Sequence, residues 1–160
     1  MQVAEQKHPK HDHQICVEDA LKLAQELCIS RGQRFTDTRQ RVLELVWQGH
    51  SAVKAYDIID KFARDGSATK PPTVYRALDF LLEQGLVHRI ESLNAYVGCA
   101  HPEEGHTSQF LICDNCETVV ELETPRLKKA LKEAADKAGF SVNQQTVELH
   151  GICPHCRAAA

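Results

Sequence analysis

The chain reads Cys-Asp-Asn-Cys at residues 113–116 and Cys-Pro-His-Cys at residues 153–156, and these two motifs decide how its last third folds. The two-residue spacer lets both sulfurs of a pair reach one metal ion, and two pairs supply the four thiolates of a closed tetrahedral zinc site. Disulfides or a redox pair are alternative uses of such cysteines. The spacing predicts a structural Zn²⁺ held by Cys113, Cys116, Cys153 and Cys156.

The segment between the two motifs is longer than the roughly 15 to 20 residues of a simple zinc ribbon, so it must contain secondary structure of its own. Its pattern predicts a strand over residues 118–122, a helix over 125–137 and a strand over 145–149. Apolar residues recur at helical spacing from Leu127 to Ala138, and Gly139 suits the end of that helix. The metal should therefore hold a small α+β unit together.

The composition limits the class of protein. The 160 residues are 42% hydrophobic and carry a net charge of −3, so any surface that binds nucleic acid must be local. Seven cysteines without an apolar leader suit a reducing cytoplasm, and no stretch is long enough to cross a membrane. The polar, histidine-containing residues 1–16 are predicted to form a flexible arm.

Residues 17–98 have a helical rhythm of their own and predict a separate domain. Asp37 and Gln40 are placed to form a capping box at the start of the second helix. Helices two to four followed by a hairpin are typical of a winged helix-turn-helix, which binds DNA through its last helix. The predicted elements, four helices and then two strands, span residues 17–30, 37–48, 55–64, 71–84, 86–90 and 95–97. Pro71 and Pro72 start the fourth helix, because proline suits the first turn.

The fourth predicted helix has an apolar face and an exposed face. The exposed face carries Thr73, Tyr75 and Arg76 near the N-terminus, where a recognition helix contacts DNA. A charged helix face that only contacts solvent is the alternative interpretation. Other candidate contacts to phosphate, sugar or base are basic or aromatic, namely Arg39, Arg41, Tyr56, Lys70 and Arg89.

Residues 70–85 read Lys-Pro-Pro-Thr-Val-Tyr-Arg-Ala-Leu-Asp-Phe-Leu-Leu-Glu-Gln-Gly, and His88 and the two cysteine pairs follow. Over about residues 17–157 this combination resembles the ferric uptake regulator family, and most of all its zinc-sensing branch. The resemblance implies a homodimer of α+β subunits, each with an N-terminal winged helix-turn-helix and a C-terminal α/β dimerisation domain that contains the four-cysteine zinc site. The expected boundaries are an arm at 1–16, a DNA-binding domain at 17–98 and a metal-binding dimerisation domain at 99–160.

The same resemblance implies a regulatory zinc site at the hinge between the domains. His88, Cys99, His106 and Glu121 match the sensory ligands of the zinc-sensing branch. The thiolate favours zinc over Fe²⁺ or Mn²⁺, which prefer harder ligands. His101 is a further candidate. The expected cofactors are thus two Zn²⁺ per subunit, one structural and one regulatory.

The function that the resemblance implies is zinc-responsive repression in a bacterial cytoplasm. The zinc-loaded homodimer would bind a pseudo-palindromic operator in double-stranded promoter DNA and repress zinc-uptake genes. One alternative is a regulator of the same family that senses iron, manganese or peroxide. The other is a zinc-dependent nucleobase deaminase, because His101-Pro102-Glu103 precedes a cysteine pair. Ile112 stands where that enzyme signature needs proline, and four cysteines leave no open position on the metal for a substrate.

Overall fold

The computed structural model describes residues 2–3, 13–49, 51–66, 69–102, 108–143 and 145–159. The chain divides into two compact units, one of residues 9–105 and one that combines residues 1–8 with residues 106–160. Across the described ranges, no helix is both long and apolar enough to span a bilayer. In chain order the elements are β1 (Gln2–Val3), α1 (His13–Ser30), α2 (Asp37–Trp47), α3 (Ala55–Arg64), α4 (Pro71–Glu83), β2 (Val87–Ile90), β3 (Ala95–Gly98), β4 (Gln109–Cys113), β5 (Val119–Glu123), α5 (Pro125–Lys137), β6 (Val147–Gly151) and α6 (Pro154–Ala158).

The first unit contains α1 to α4 and the β2–β3 hairpin, which is the element order of a winged helix-turn-helix. Its core is apolar because the helical period places one stripe of each helix inward. The stripe of α2 and the stripe of α4 pack on each other. The buried residues of α2, α3 and α4 are Val42, Leu43, Leu45, Val46, Ala55, Ile58, Phe62, Val74, Ala77, Leu78, Phe80 and Leu81.

One helix start and one helix cap differ from the sequence predictions. Helix α1 begins at His13 rather than residue 17, inside the segment assigned to the N-terminal arm. The capping box of Asp37 and Gln40 is wrong, because Thr36 is the N-cap of α2 and its hydroxyl accepts from the Arg39 amide at 3.4 Å. Helix α4 begins at Pro71, as predicted from Pro71 and Pro72, since proline fits a first turn that needs no amide hydrogen.

The hairpin of the first unit is a short antiparallel pair in which Val87 faces Gly98 and Ile90 faces Ala95. Its turn contains Asn94 at φ 47°, a left-handed conformation that asparagine tolerates better than most residues. Strand β3 also pairs with the segment before α3. There the Val53 amide donates to the Tyr96 carbonyl and the Tyr96 amide donates to the Val53 carbonyl, each at 2.8 Å.

The second unit is a four-stranded sheet in the order β1-β5-β4-β6. Strand β4 pairs antiparallel with β5 and parallel with β6, and α5 connects β5 to β6. Strand β4 was not predicted from the sequence, although it buries Phe110 and Ile112. Because β4 and β6 are parallel, their carboxyl ends lie at one edge of the sheet, and each cysteine motif begins at or just after such an end.

Helix α5 spans the residues that its apolar period predicts, yet none of them is buried. Leu131 is 39% exposed, and Leu149 on β6 is 50% exposed. These residues line a groove of about 1060 Å³ along α5 and β6, together with Leu127 and Val147. The stripe therefore forms an apolar face on the surface of the single chain, where we expected it to join the core.

Candidate metal centre and nucleic-acid interface

The four cysteines of the two motifs come together in the second unit. Cys113 ends β4, Cys116 lies in the turn that follows, and Cys153 and Cys156 lie at the start of α6. Their sulfur atoms all lie within 4.8 Å of one another. The parallel pairing of β4 with β6 explains this meeting, because Cys113 faces Gly151 across the ladder and Cys153 is two residues further on.

Sulfur spacing and hydrogen bonding both fit zinc. Sulfurs about 2.3 Å from a tetrahedral ion lie about 3.8 Å apart, and the Cys116 and Cys153 Sγ atoms are 3.8 Å apart. The Cys153 amide donates to the Cys113 Sγ at 3.3 Å, and the Cys156 amide donates to the Cys153 Sγ at 3.4 Å. All seven cysteines of the chain are described, and none of them forms a disulfide.

The thiols of the cluster influence one another's protonation. The Cys153 amide, followed by the Cys116 amide, lowers the pKa of Cys113 to about 6. The Thr118 hydroxyl is the largest cause of a lowered pKa at Cys116. Hydrogen bonds from Cys156 to Cys116 and then to Cys153 raise the pKa of Cys156 to about 12. A metal ion bound to the cluster would favour loss of this proton, because zinc binds the thiolate.

Two of the predicted regulatory ligands lie together in the first unit. His88 is a half-buried residue of β2, and Cys99 is 3% exposed just after β3. The Cys99 amide donates to the Leu86 carbonyl at 3.0 Å, which fixes the backbone beside the sulfur. A ring nitrogen of His88 and the Cys99 sulfur lie within 4.8 Å of each other. The hairpin thus presents an imidazole and a thiol that can reach one ion.

The other two predicted regulatory ligands belong to the second unit. Glu121 is a half-buried residue of β5, and its Oε1 accepts from the Ser108 hydroxyl at 2.6 Å. His106 lies outside the described residues. His101, the further candidate, is described and exposed. Sequence reasoning missed Ser108, whose contact with the carboxylate depends on the pairing of β4 with β5.

The predicted recognition helix exposes the residues that its period predicts. Thr73, Tyr75 and Arg76 are all exposed on α4, and Lys70 is exposed at the position before its first turn. Tyr75 is 48% exposed, and Tyr56, on the first turn of α3, is 57% exposed. Large aromatic side chains held this far in solvent can contact bases or sugars.

Tyr56 and Tyr75 line one cleft of about 250 Å³ between α3, α4 and the hairpin. The other residues that line this cleft are Lys54, Ala55, Leu93, Asn94 and Tyr96. The Lys54 ammonium lies 5.9 Å from the centroid of the Tyr56 ring, within cation–π range. Sequence reasoning missed Lys54, which is near the recognition helix only in the folded chain.

Three of the predicted arginine contacts already have partners within the first unit. The Arg39 guanidinium lies 3.5 Å from the Phe80 ring centroid and donates to the Arg34 carbonyl. Arg41 binds Glu44 at 2.7 Å and also Asp65, and the hydrogen bond to Glu44 is the largest cause of its raised pKa. In the wing, Arg89 donates to Asn94 Oδ1 at 3.0 Å and pairs with Glu91 at 3.4 Å.

Comparison with known proteins assigns the fold and the family. The model of the ferric uptake regulator family matches residues 30–150. The zinc uptake regulation protein of Escherichia coli is 41% identical over 140 residues, which are 87% of this chain and 82% of that protein. The corresponding protein of Mycobacterium tuberculosis is 28% identical over 130 residues, which are 79% and 97% of the two chains.

A solved structure of a zinc uptake regulator in complex with zinc and DNA is similar to this chain, with a TM-score of 0.85 and 40% identity. The match covers 89% of this chain and 96% of that one. It confirms the predicted fold class, a winged helix-turn-helix followed by an α/β domain that carries the cysteine cluster. Sequence and fold agree that this chain belongs to the ferric uptake regulator family.

Proposed function

We propose that this protein is a zinc-responsive transcriptional repressor that binds promoter DNA as a zinc-loaded homodimer and represses zinc-uptake genes. The observation that carries the proposal is the similarity, over most of the chain, to a zinc uptake regulator that binds both zinc and DNA. Two features of this chain agree with it. The cysteine cluster has the chemistry of a zinc site, and the first unit exposes a recognition helix.

The structural zinc binds to Cys113, Cys116, Cys153 and Cys156. Four thiolates saturate a tetrahedral ion, so this site has no open position for exchange or catalysis. The ion joins the ends of β4 and β6 and stabilises the second unit, because metal binding and folding are coupled in such sites. The closed ligand set also disfavours a deaminase, whose zinc must bind water.

The regulatory zinc binds to His88 and Cys99 of the first unit and to His106 and Glu121 of the second. One thiolate, two imidazoles and one carboxylate are ligands that zinc accepts in tetrahedral geometry. The proximity of the His88 ring nitrogen to the Cys99 sulfur, within 4.8 Å, supports the first half of this set. The hydrogen bond from Ser108 supports the second half, because it orients the Glu121 carboxylate.

Metal binding to ligands from both units favours one arrangement of the DNA-binding units. A ligand shifts such an equilibrium only by its differential affinity for the two states. Zinc at the regulatory site therefore raises DNA affinity only as far as zinc binds the DNA-binding arrangement more tightly than the other arrangement. In this way zinc is both the signal and a part of the repressor.

The DNA surface consists of α4 and the cleft beside it. Thr73, Tyr75 and Arg76 contact base edges or the adjoining backbone in the major groove, while Lys70 and Tyr56 contact phosphate or sugar. Arg39 and Arg41, which sequence analysis also assigned to DNA, remain candidates only if they exchange their internal partners for phosphate.

The homodimer forms through the apolar face of α5 and β6. A soluble monomer rarely exposes a contiguous apolar surface of this kind. A second copy of the chain covers it and places two recognition helices against two half-sites. Because such a dimer has two-fold symmetry, its operator should be pseudo-palindromic.

The test is a fluorescence anisotropy titration of a labelled zinc-importer promoter at fixed salt. Protein that retains its structural zinc is titrated with buffered Zn²⁺, Fe²⁺ or Mn²⁺. Salt is fixed because phosphate contacts make DNA affinity depend on it. Tight binding that zinc alone induces is the expected result. Activation by iron or manganese instead would support the alternative sensor, and the absence of specific binding with every metal would refute the repressor.

The regulatory ligands are tested by substitution. Cys99→Ser and His88→Ala should abolish the zinc-dependent gain in DNA affinity but leave a folded dimer with its structural zinc. Cys16→Ser is the matched control, because Cys16 lies on α1 outside the proposed ligand set. Full zinc-dependent binding by both ligand variants would exclude these residues as sensors.

A further inference from the structure

Trp47 lies directly against the backbone of Gly98. A Cβ atom built at Gly98 would lie 2.2 Å from Cε2, 2.3 Å from Nε1 and 2.7 Å from Cζ2 of the indole. Real Cβ atoms do not approach other atoms so closely, so no larger residue fits here while the ring stays in place. The φ angle of Gly98 is not in the left-handed region. The contact with Trp47, and not a turn, therefore requires glycine at this position.

The contact between Trp47 and Gly98 joins the end of α2 to the residue before Cys99, a proposed zinc ligand. Trp47 is the last residue of α2, and Gly98 is the last residue of β3, immediately before Cys99. Trp47, Leu43, Leu86 and Cys99 line one cavity of about 230 Å³ in the first unit. A displacement of Cys99 therefore moves Gly98, whose backbone lies against the indole.

From Trp47 the packing continues to the recognition helix. Helix α2 carries Arg39, whose guanidinium lies on the Phe80 ring of α4. The two helices also share the buried apolar core of the unit. In the other direction along β3, Tyr96 lines the cleft with Tyr56 and Tyr75. Strand β3 thus contacts the proposed zinc ligand at one end and the proposed DNA surface at the other.

We propose that Trp47, packed on Gly98, is a positioning residue that transmits zinc binding at Cys99 to the helix-turn-helix. The inference rests on the proposed regulatory zinc site, and it adds the residue pair through which that site acts on DNA affinity. Rigid packing of the ring on a bare backbone makes the contact sensitive to small shifts of the strand. Neither residue binds zinc or DNA itself.

The quantity to measure is the coupling factor, which is the DNA dissociation constant without regulatory zinc divided by that with zinc. Such factors usually lie between about 5 and 150. Trp47→Leu removes all three atoms that crowd Gly98, and Gly98→Ala pushes the ring away with one methyl group. Each should lower the coupling factor by about tenfold. If the coupling factor of the parent protein is below about ten, each should lower it to 1. Each should leave DNA affinity without zinc close to that of the parent protein.

The two substitutions form a double-mutant cycle. Because both break the same contact, the double variant should lose no more coupling than the worse single variant. Gly49→Ala is the matched control, since it also adds one methyl near the end of α2, but its nearest neighbour is the Ser51 amide nitrogen at 3.9 Å. Its coupling factor should not change.

Trp47 is the only tryptophan in the chain, so its emission gives a second readout. Zinc should change the emission in step with DNA affinity, and Cys99→Ser should abolish the change. A purely structural role would lower the melting temperature of Trp47→Leu and leave the coupling factor intact, which would overturn the inference. Trp47→Leu alone decides the matter if Gly98→Ala does not fold. A parent protein with no zinc-dependent DNA binding would instead refute the proposed function.

Discussion

At the scale of single residues, charge alone does not identify a DNA contact. Sequence analysis assigned Arg39, Arg41 and Arg76 to DNA, and it distinguished only Arg76, by its place on the exposed face of the fourth helix. In the folded chain Arg76 is exposed, whereas Arg41 pairs with two carboxylates and Arg39 covers an aromatic ring. An arginine that already has internal partners must give them up before it can bind phosphate.

We predict that Arg39→Gln lowers the free energy of unfolding but leaves DNA affinity nearly unchanged. The change removes the guanidinium from the Phe80 ring, a contact worth about 0.5–2 kcal/mol. Urea denaturation of the zinc-loaded protein measures the loss, and the slope of DNA affinity against salt should stay the same. An unaltered unfolding midpoint with a shallower salt slope would restore Arg39 as a phosphate contact.

Lys54 leads to the opposite prediction. It is the residue before the first turn of α3, and its side chain makes no capping hydrogen bond to that helix. Its ammonium lies in the cleft beside Tyr56 and can approach a phosphate of bound DNA. Lys54→Ala should weaken binding to all sequences similarly and reduce the salt slope by about 1.8, which is about 0.9 for each subunit of the dimer. Anisotropy titrations at several salt concentrations test this.

The matched control for that experiment is Lys129→Ala. This lysine is exposed on α5 and pairs with Glu133 at 3.8 Å. Its removal changes the net charge by the same amount as Lys54→Ala but lies outside the cleft. If both variants reduce the salt slope by the same amount, the effect belongs to net charge and not to the cleft.

At the scale of elements, the sheet of the second unit explains the metal centre. Strand β4 lies between β5 and β6, and its parallel pairing with β6 brings two motifs that are far apart in sequence to one edge. The Cys153 amide then donates to the Cys113 sulfur, which stabilises the Cys113 thiolate before any ion binds.

We predict that Cys113→Ser removes one zinc per chain and unfolds the second unit. Loss of one thiolate opens the tetrahedral site, and folding of such a unit depends on the metal. Metal analysis should show the lost zinc, and circular dichroism should show a loss of strand signal. Cys16→Ser should change neither quantity. A Cys113→Ser protein that keeps its fold and its full zinc content would contradict a structural role for the cluster.

At the scale of the whole molecule, the apolar face of α5 and β6 is the feature that a single chain leaves unexplained. Its helix period predicted burial, but the structure of one chain exposes Leu131 and Leu149. In the proposed dimer a second copy would cover this face, and the sequence pattern would then agree with the exposed surface of the single chain.

We predict that Leu131→Asp converts the dimer to a monomer. A charge on the apolar face must lose its hydration when a partner covers it, at a cost of several kcal/mol. Sedimentation or light scattering measures the mass, and DNA affinity should fall with it. Ile29→Asp is the control, because Ile29 is an exposed apolar residue of α1 outside this face. A dimer that survives Leu131→Asp would place the interface elsewhere.

Local patterns in the sequence determined the helices, the hairpin and the two cysteine pairs. Each of these depends on residues a few positions apart, through the helical period or the chelating spacer. The buried stripe of α2 and the exposed residues of α4 follow from the period alone. The same reasoning misplaced the cap of α2 by one residue, because Thr36 and Asp37 are both good caps and only the backbone selects between them.

The tertiary structure decided what depends on residues far apart in the chain. No local signal predicted β4, since the run Gln-Phe-Leu-Ile-Cys becomes a strand by pairing on both sides. The internal partners of Arg39 and Arg41, the position of Lys54 in the cleft and the packing of Trp47 on Gly98 arise in the same way. Side-chain contacts across elements depend on how whole helices and strands pack, and the energy of that packing is not encoded in any short stretch of sequence.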